Sequence, residues 1–409
     1  MTERNRGRLA EGSFLRCTVE MKEIYLDNSA TTALSEGAKQ AMREAMECYG
    51  NPSSVHPLGD AAHKLVEQAR KDILAALGVR AGVNAGQLIF TSCGTEADHL
   101  ALFGTAYAKP RRRGGRIIST DSEHSAIEKS LKALENDGFD VVRIPTRGGV
   151  LDMEAYAKAL NDKTFLVTMM TVNNETGAQY DVAHAFSMAK AKNPDIVTHT
   201  DAVQGFLKCR FTPQLIKADM VSISGHKIHA PKGVGALYVS KDALRRRDLT
   251  PVLLGGGQEE GFRSGTENVI GIAALGAAAK EGYATLNASL THMQELRDYA
   301  QSLLLELPVR LNLPSGARAP HILHLTLPNI RSETMLHELS ESGICVSAGS
   351  ACSSHSKSKS SALLSFGLSE KEIDFSLRIS FSAYNTKEDV DALIAAMKDA
   401  FSHLVRAQR

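Results

Sequence analysis

Short apolar runs alternate with amphipathic patterns over the first two thirds of the chain. Apolar runs bounded by polar or glycine-containing stretches predict strands from Leu88 and at Arg116–Ser119, Val141–Ile144, Phe165–Thr171, Ile196–Thr200, Met220–Ile223 and Ala236–Val239. Apolar residues at helical spacing predict helices over 59–77, 127–136 and 153–160. Because strands that alternate with helices build βαβ units, the pattern predicts an α/β layered domain with a largely parallel sheet.

A different pattern follows the glycine-rich stretch Gly255–Glu267. The predicted elements are a long helix over 283–307, a strand over 321–327, a helix over 333–342, a strand over 378–381 and a final helix. Thr386, with Asp389 three positions later, is typical of a capping box at the start of that final helix. These elements predict a smaller α+β domain packed on the first.

The expected domain boundaries follow these patterns. We expect a large domain over 36–275 and a small C-terminal domain over 276–409, with 21–35 as an N-terminal segment of the small domain. Residues 1–20 are expected to form a disordered lead, since ordered patterning begins at Met21. An organellar presequence is an alternative for this lead, and its acidic residues weaken that alternative.

Composition narrows the class of protein. The 409 residues are 43% hydrophobic and 23% charged with a formal net charge of +1, which is ordinary for a globular protein and gives no reason to expect nucleic acid or an acidic membrane as partner. No stretch approaches the ~20 apolar residues of a membrane span. The six cysteines form no Cys-x-x-Cys pair, which argues against a disulfide framework and a zinc site. We expect no metal, a reducing compartment and a cytoplasmic location.

Polar loops follow several of the predicted strands. They are the glycine turn at 93–95, Glu123–Ser125, Val172–Gly177, His199–Gln204 and the turn around Lys227. In sheets of this kind ligands bind at the carboxyl ends of strands, where such loops gather. Lys227 lies between two apolar runs in a tight, glycine-containing turn, which is an unusual setting for a surface lysine.

The side chains of these loops suit one type of cofactor. An interior lysine such as Lys227 can form an imine with an aldehyde, because burial favours the free amine. Thr95, Ser224 and His226 could hold a phosphate. Asp201 could pair with a ring nitrogen, and His124 offers an aromatic face for the ring. Each of these roles is a common coincidence alone, and their occurrence on successive strand ends is not.

Several motifs, in order, resemble those of the cysteine desulfurases of the NifS/IscS type. The motifs are YLDNSATT, GNPSSVHPLG, FTSCGTEAD, VNNETG, HTDAVQ, SGHKIHAPKGVGALYV, RSGTEN and SAGSACSS. The resemblance runs from about Tyr25 to the final helix. It implies a pyridoxal-phosphate enzyme of aminotransferase class V with the type I fold, in which a large domain has a mostly parallel seven-stranded sheet.

The resemblance also implies a role for each candidate residue. The implied roles are Lys227 as Schiff-base lysine and base, Asp201 as partner of the pyridinium nitrogen, His124 as stacking residue and acid/base candidate, Gln204 as donor to the phenolic oxygen, and Thr95, Ser224 and His226 as phosphate ligands. Thr266 is implied to reach the phosphate of a neighbouring subunit, which predicts a homodimer with shared sites. Arg378 is implied to bind the substrate carboxylate with help from Asn174, and a planar guanidinium suits that task.

Cys352 carries the step that distinguishes this reaction from other pyridoxal-phosphate chemistry. It lies in Ser347–Lys357, a stretch too polar and glycine-rich for a packed core cysteine. The resemblance implies that its thiolate attacks the sulfur of L-cysteine, leaving L-alanine and a persulfide on Cys352. A protein acceptor would then take the sulfur for iron–sulfur clusters or for thiolation, and Cys352 could briefly contact a cluster bound to a scaffold protein.

Two departures and three alternatives accompany this prediction. The chain has His99 where the family often has Asn and Cys93 where it often has Gly, which leaves the fine structure of the pocket open. A selenocysteine lyase or cysteine-sulfinate desulfinase would share all the cofactor residues. A non-catalytic assembly partner of the same fold should have lost at least one of them, and a simple transaminase has no need of Cys352.

Overall fold

Strands and helices alternate along the part of the chain that the structure, a computed structural model, describes: residues 23–79, 82, 85–349 and 359–404. The strands are β1 (Ile24–Tyr25), β2 (Gln87–Thr91), β3 (Arg116–Thr120), β4 (Asp140–Ile144), β5 (Thr164–Thr168), β6 (Val197–Asp201), β7 (Met220–Ser224), β8 (Gly235–Val239), β9 (Arg310–Leu311), β10 (Ile322–Thr326), β11 (Ile344–Cys345), β12 (Ser347–Ala348) and β13 (Ser376–Ser380). The helices are α1 (Glu36–Met46), α2 (Pro57–Ala76), α3 (Gly94–Tyr107), α4 (Ser125–Asn136), α5 (Met153–Ala159), α6 (Val182–Lys192), α7 (Lys241–Arg245), α8 (Val269–Ala284), α9 (Leu286–Leu304), α10 (Ser332–Glu341), α11 (Ser361–Phe366), α12 (Glu370–Asp374) and α13 (Lys387–His403).

The larger sheet has seven strands in the order β2-β8-β7-β6-β5-β3-β4. Strands β3 to β7 pair in parallel, whereas β8 is antiparallel to both of its neighbours, β7 and β2. The connection from β7 to β8 is too short for the crossover of about a dozen residues that a parallel pair needs. The predicted α/β fold with a mostly parallel seven-stranded sheet is therefore confirmed.

Helices cover both faces of this sheet. Neighbouring residues of one strand belong to different apolar clusters: Ile117 lies in the cluster that includes α3 and α4, and Ile118 lies in the cluster that includes α2, α5, α6 and α8. This follows from the alternation of side chains along a strand. Because both faces are buried, the strands read in the sequence as continuous apolar runs.

A second, four-stranded sheet of order β12-β13-β10-β9 is antiparallel and packs against α9, α10 and α13. Strand β1 pairs in parallel with β11, so the start of the described chain lies with its C-terminal third. Asn28 then donates from Nδ2 to the carbonyl of Ser380 at 3.0 Å. The segment that follows runs from this sheet to the large one. The predicted domain boundaries stay predictions.

Of two local predictions, one is confirmed and the other was wrong. The capping box at Thr386 and Asp389 is confirmed at the start of α13. The helix expected over 283–307 was wrong in extent, because the chain forms α8 and α9 with a break at Thr285. Apolar residues of α8 lie on most sides of the helix, so its sequence shows little helical periodicity. The helix packs against α1 and α2. Among the described helices, not one has the length and apolar character needed to cross a membrane.

Candidate active site

A cavity of about 320 Å³ lies where strands β2, β3, β5, β6 and β7 end. Its lining includes nine of the residues predicted from the sequence: Thr95, His124, Asn174, Asp201, Gln204, Ser224, His226, Lys227 and Arg378. The strand ends bring the first eight of these side chains together because parallel strands expose their carboxyl ends at the same edge of the sheet. Arg378 comes from β13 of the small sheet.

Lys227 lies in a 3-10 turn directly after β7. Its Nζ donates to the backbone carbonyls of Ser29 at 2.6 Å and Ala30 at 2.8 Å. Both carbonyls belong to the segment that follows β1. The amine is therefore held at the cavity wall by main-chain groups from a distant part of the sequence.

The end of β7 and the start of α3 form a concave, polar surface. Ser224 Oγ is buried and has no hydrogen-bond partner among the described residues. The first N–H groups of α3 lack intrahelical acceptors, and a Cβ on Gly94 would lie 2.8 Å from Val203 Cγ2, so only glycine lets the backbone approach so closely. An orphaned hydroxyl beside a helix N-terminus fits a phosphate group.

His226 borders this surface. Burial, and then the charge of Lys227, lower the pKa of His226 to about 4, so its ring is neutral. Its Nδ1 lies 3.3 Å from Thr31 Oγ1. Thr95, in the first turn of α3, is exposed towards the same cavity. Both residues lie where a phosphate could meet them.

Asp201 ends β6 and is buried. Burial raises the pKa of Asp201, whereas His124, the backbone N–H of Val203 and Lys227 lower it. The N–H of Val203 donates to Asp201 Oδ1 at 2.8 Å. A buried carboxyl group in this position would be stabilised as an anion by a cationic ring nitrogen in the cavity.

A second carboxyl group, Asp98, also lines the cavity and was missed by the sequence analysis. Its Oδ1 makes no hydrogen bond within the described residues. His199 Nε2 lies 3.8 Å away, but burial lowers the pKa of His199 to about 3, so no ion pair forms. Burial and the charge of Asp201 raise the pKa of Asp98 well above its usual range, which favours its neutral form.

His124 caps the N-terminus of α4. Its Nδ1 accepts the backbone N–H of Ala126 at 3.2 Å. Burial lowers the pKa of His124, with Asp201 opposing and Lys227 reinforcing this shift. A neutral ring that accepts at Nδ1 carries its proton on Nε2, so His124 has one N–H free of the cap.

Arg378, on β13, brings the small sheet into the cavity. It is 2% exposed. Its Nη1 donates to the carbonyl of Asn174 at 3.0 Å, and its Nη2 forms an ion pair with Asp27 at 2.8 Å. Its Nε has no partner among the described residues. Asp27 was not singled out from the sequence, although it lies in the YLDNSATT motif.

Of the other two predicted site residues, one lies outside the cavity and one lies outside the described residues. Thr266 is exposed and does not line the cavity. Cys352 lies in 350–358, outside the described residues. The structure adds lining residues to which the sequence analysis gave no role: Ser29, Ala30, Asp98, Met170, Val172 and Val203. Cys93, a departure from the family pattern, also lines the cavity. Within the described ranges, the His, Cys, Asp and Glu side chains form no group of three or more that could hold a metal ion.

The chain is similar over most of its length to proteins of one family. The family described as aminotransferase class V matches residues 24–393. A cysteine desulfurase of Trichormus azollae is 37% identical over 94% of this chain and 94% of its own length. The cysteine desulfurase IscS of Methanosarcina thermophila is 35% identical over 95% of this chain and 94% of its own length.

Solved structures give the same result. A structure described as a NifS-like protein superposes with a TM-score of 0.86 at 34% identity, covering 94% of this chain and 100% of that one. A structure described as SspA in complex with cysteine superposes with a TM-score of 0.75 at 31% identity, covering 89% of this chain and 100% of that one. The extent and identity of these matches show that the chain belongs to the aminotransferase class V family and, within it, to the cysteine desulfurases of the NifS/IscS type.

Proposed function

We propose that this chain is a pyridoxal-phosphate-dependent cysteine desulfurase, which converts L-cysteine to L-alanine and passes the sulfur to a protein acceptor. The observation that carries the proposal is the convergence of Lys227, Asp201, Ser224 and Arg378 on one cavity. The relatives named cysteine desulfurase support the same reaction, and the SspA structure with cysteine supports the substrate.

The cavity residues fit pyridoxal phosphate. The partnerless Ser224 hydroxyl, the start of α3, Thr95 and His226 suit the phosphate, and Lys227 suits the aldehyde. Asp201 suits the ring nitrogen, and Gln204 suits the phenolic oxygen. When bound, the cofactor supplies an electron-withdrawing ring that holds the electron pair released at the substrate α-carbon.

The protein side chains orient the substrate and move protons. Arg378 would bind the substrate carboxylate, for which its partnerless Nε and planar guanidinium are suited, with Asn174 beside it. Lys227 Nζ would take the proton from the substrate α-carbon. His124 would stack on the cofactor ring, and its Nε2–H makes it an acid/base candidate.

Cys352 would perform the sulfur step. Its thiolate attacks the sulfur of the bound substrate, a new S–S bond forms, and the substrate C–S bond breaks. The carbon released from sulfur takes a proton and leaves as alanine, and the sulfur stays on Cys352 as a persulfide. The atoms and electrons balance because the enzyme thiol and cysteine together yield the persulfide and alanine.

A second copy of this chain and a sulfur acceptor are the proposed partners. Thr266 lies outside the cavity and is exposed, which suits a role in the site of a neighbouring subunit. Val252, Leu253 and Leu254, which directly precede the glycine-rich stretch that contains Thr266, are 50%, 48% and 78% exposed, an apolar surface that a homodimer would cover. We place the protein in the cytoplasm, with an iron–sulfur scaffold or a tRNA-thiolation protein as acceptor and no direct contact with nucleic acid or membrane.

The proposal is tested by incubating the purified protein with pyridoxal phosphate, L-cysteine and a reductant, and measuring alanine and sulfide. The wild type should release both, and Lys227→Ala should release neither. Cys352→Ser should lose sulfide release from cysteine. If Cys352→Ser matches the wild type, or if only selenocysteine is cleaved, the desulfurase assignment fails and a selenocysteine lyase becomes the better assignment.

A further inference from the structure

We propose that Lys208 and His321 are positioning residues that hold the side-chain amide of Gln204 with its NH2 group towards the active site. The inference rests on the proposed function, since it concerns a residue assigned to the phenolic oxygen of pyridoxal phosphate. Neither Lys208 nor His321 lines the 320 Å³ cavity. Both would act through Gln204.

Two donors converge on one oxygen of Gln204. Lys208 Nζ lies 3.5 Å from Gln204 Oε1, and His321 Nε2 lies 3.3 Å from the same atom. On the other side of the amide, Gln204 Nε2 donates to the carbonyl of Ser29 at 2.9 Å. The three contacts come from different parts of the chain: Lys208 follows β6, His321 precedes β10, and Ser29 follows β1.

The opposite orientation of the Gln204 amide, with its oxygen and NH2 group exchanged, is unfavourable at both ends. A half-turn would place the NH2 group of Gln204 against the Lys208 and His321 donors. It would also place Oε1 against the Ser29 carbonyl, where two acceptors repel. The hydrogen-bond network therefore decides which end of the amide is the oxygen.

Burial raises the free-energy cost of leaving this orientation of the Gln204 amide. Gln204, Lys208 and His321 are 4%, 6% and 0% exposed, so water cannot replace a lost contact at low cost. Burial lowers the pKa of His321 well below its usual range, and the nearby cations Lys208, Arg378, Arg297 and Lys227 lower it further. The neutral ring donates from Nε2, while Nδ1 has no partner among the described residues.

Lys208 is a donor in either protonation state. Burial and the charge of Lys227 lower its pKa to about 7, with Cys209 opposing and Arg378 reinforcing the shift. Both the amine and the ammonium can donate to Gln204 Oε1. The orientation of Gln204 therefore persists across neutral pH.

One backbone carbonyl connects the Gln204 amide to the Lys227 amine. The Ser29 carbonyl accepts from both Gln204 Nε2 and Lys227 Nζ. The Gln204 NH2 group is thus held beside the amine that meets the aldehyde. Without Lys208 and His321, the amide loses two of the three hydrogen bonds that fix its orientation, and its hydrogen bond to the phenolic oxygen of a bound cofactor is weakened.

The test is a double-mutant cycle read from the visible absorption of the pyridoxal-phosphate-loaded protein during a pH titration. His321→Leu and Lys208→Met should each raise the pH midpoint of the absorption change by about half a unit or more, because a hydrogen bond that stabilises the ionised phenolic oxygen is weakened. In a Gln204→Leu background, His321→Leu should cause no further shift, because its effect passes through Gln204. His321→Gln, which keeps a donor, should restore most of the wild-type midpoint.

The outcomes separate this inference from the proposed function. Equal shifts with and without Gln204, or no shift in His321→Leu, would overturn the positioning role even if the wild type binds pyridoxal phosphate and releases sulfide from cysteine. Failure of the wild type to bind the cofactor would overturn both. Lys208→Met also removes a charge, whose effect on the midpoint should be the same with and without Gln204. The His321 variants are therefore the decisive comparison, because His321 is neutral. If His321→Leu does not fold, the comparison of His321→Gln with His321→Asn takes its place.

Discussion

Lys227 Nζ donates to the carbonyl of Ser29 at 2.6 Å, although the two residues are 198 positions apart. The contact closes the active-site cavity with main chain from the segment after β1, and Gln204 donates to the same carbonyl. Residues that hold the segment after β1 in place therefore also position the Lys227 amine.

Asn28 is such an anchor. Its Nδ2 lies 3.3, 3.0 and 3.1 Å from Tyr25 O, Ser380 O and Asn385 Oδ1, and the residue is 3% exposed. We expect Asn28→Ala to lower the free energy of unfolding by about 1–3 kcal/mol, because buried acceptors lose their donor. Urea unfolding measures this change. The control Asn287→Ala, on the exposed face of α9, should stay within about 0.5 kcal/mol of the wild type, and an equal loss in both variants would contradict the anchoring role.

Asp248 should be more sensitive to substitution than an exposed carboxylate. It is 0% exposed and forms ion pairs with Lys109, Arg112 and Arg246. Asp248→Asn should lower the free energy of unfolding by about 3 kcal/mol or more, because the three cations around it lose a shared, buried counter-charge. Asp242→Asn breaks only the exposed pair with Arg245 and should change it by about 1 kcal/mol or less. Similar losses in the two variants, measured by urea unfolding, would rule out the buried-charge explanation.

Glu123 should make stability depend on pH. Burial raises its pKa to about 8, although Thr120 and the N–H of Met170 donate to Oε1. Between about pH 4.3, its unfolded pKa, and about pH 8, the folded protein binds a proton that the unfolded chain does not. The free energy of unfolding should therefore fall as pH rises through this window.

Glu123→Gln removes that proton and keeps an acceptor for both donors. Its free energy of unfolding should fall less steeply than that of the wild type between about pH 5 and about pH 8. Urea titrations at several pH values measure the difference. Glu175, whose pKa burial raises to about 7, keeps its own contribution in both proteins. Parallel pH dependences would show that Glu123 is ionised in the folded state.

Arg378 should govern substrate affinity. Its two-armed contacts with Asn174 and Asp27 hold the guanidinium in place, and a lysine cannot reproduce that geometry. We expect Arg378→Lys to raise the KM for L-cysteine about tenfold or more, the equivalent of one charge-assisted hydrogen bond. Steady-state sulfide release measures the constant. Arg310→Lys, at an exposed pair with Glu372, should leave KM unchanged, and an unaltered KM in Arg378→Lys would remove Arg378 from the substrate site.

The sequence alone determined the local structure. Apolar runs and helical spacing predicted the strands of the large sheet within a few residues, because each strand is buried on both faces and each signal is confined to a short window. The same reasoning predicted which polar loops follow the strands. Helix α8 escaped it because an all-round apolar helix shows little period.

Tertiary structure decided which side chains meet. No window of sequence indicates that Ser29 would accept from Lys227, that Asp27 would pair with Arg378, or that His321 would lie behind Gln204. These contacts depend on how the segment after β1 and the small sheet pack against the ends of the parallel strands. Periodicity specifies the face of an element, whereas packing between distant elements specifies the partner of a polar atom, and the chemistry of this site depends on those partners.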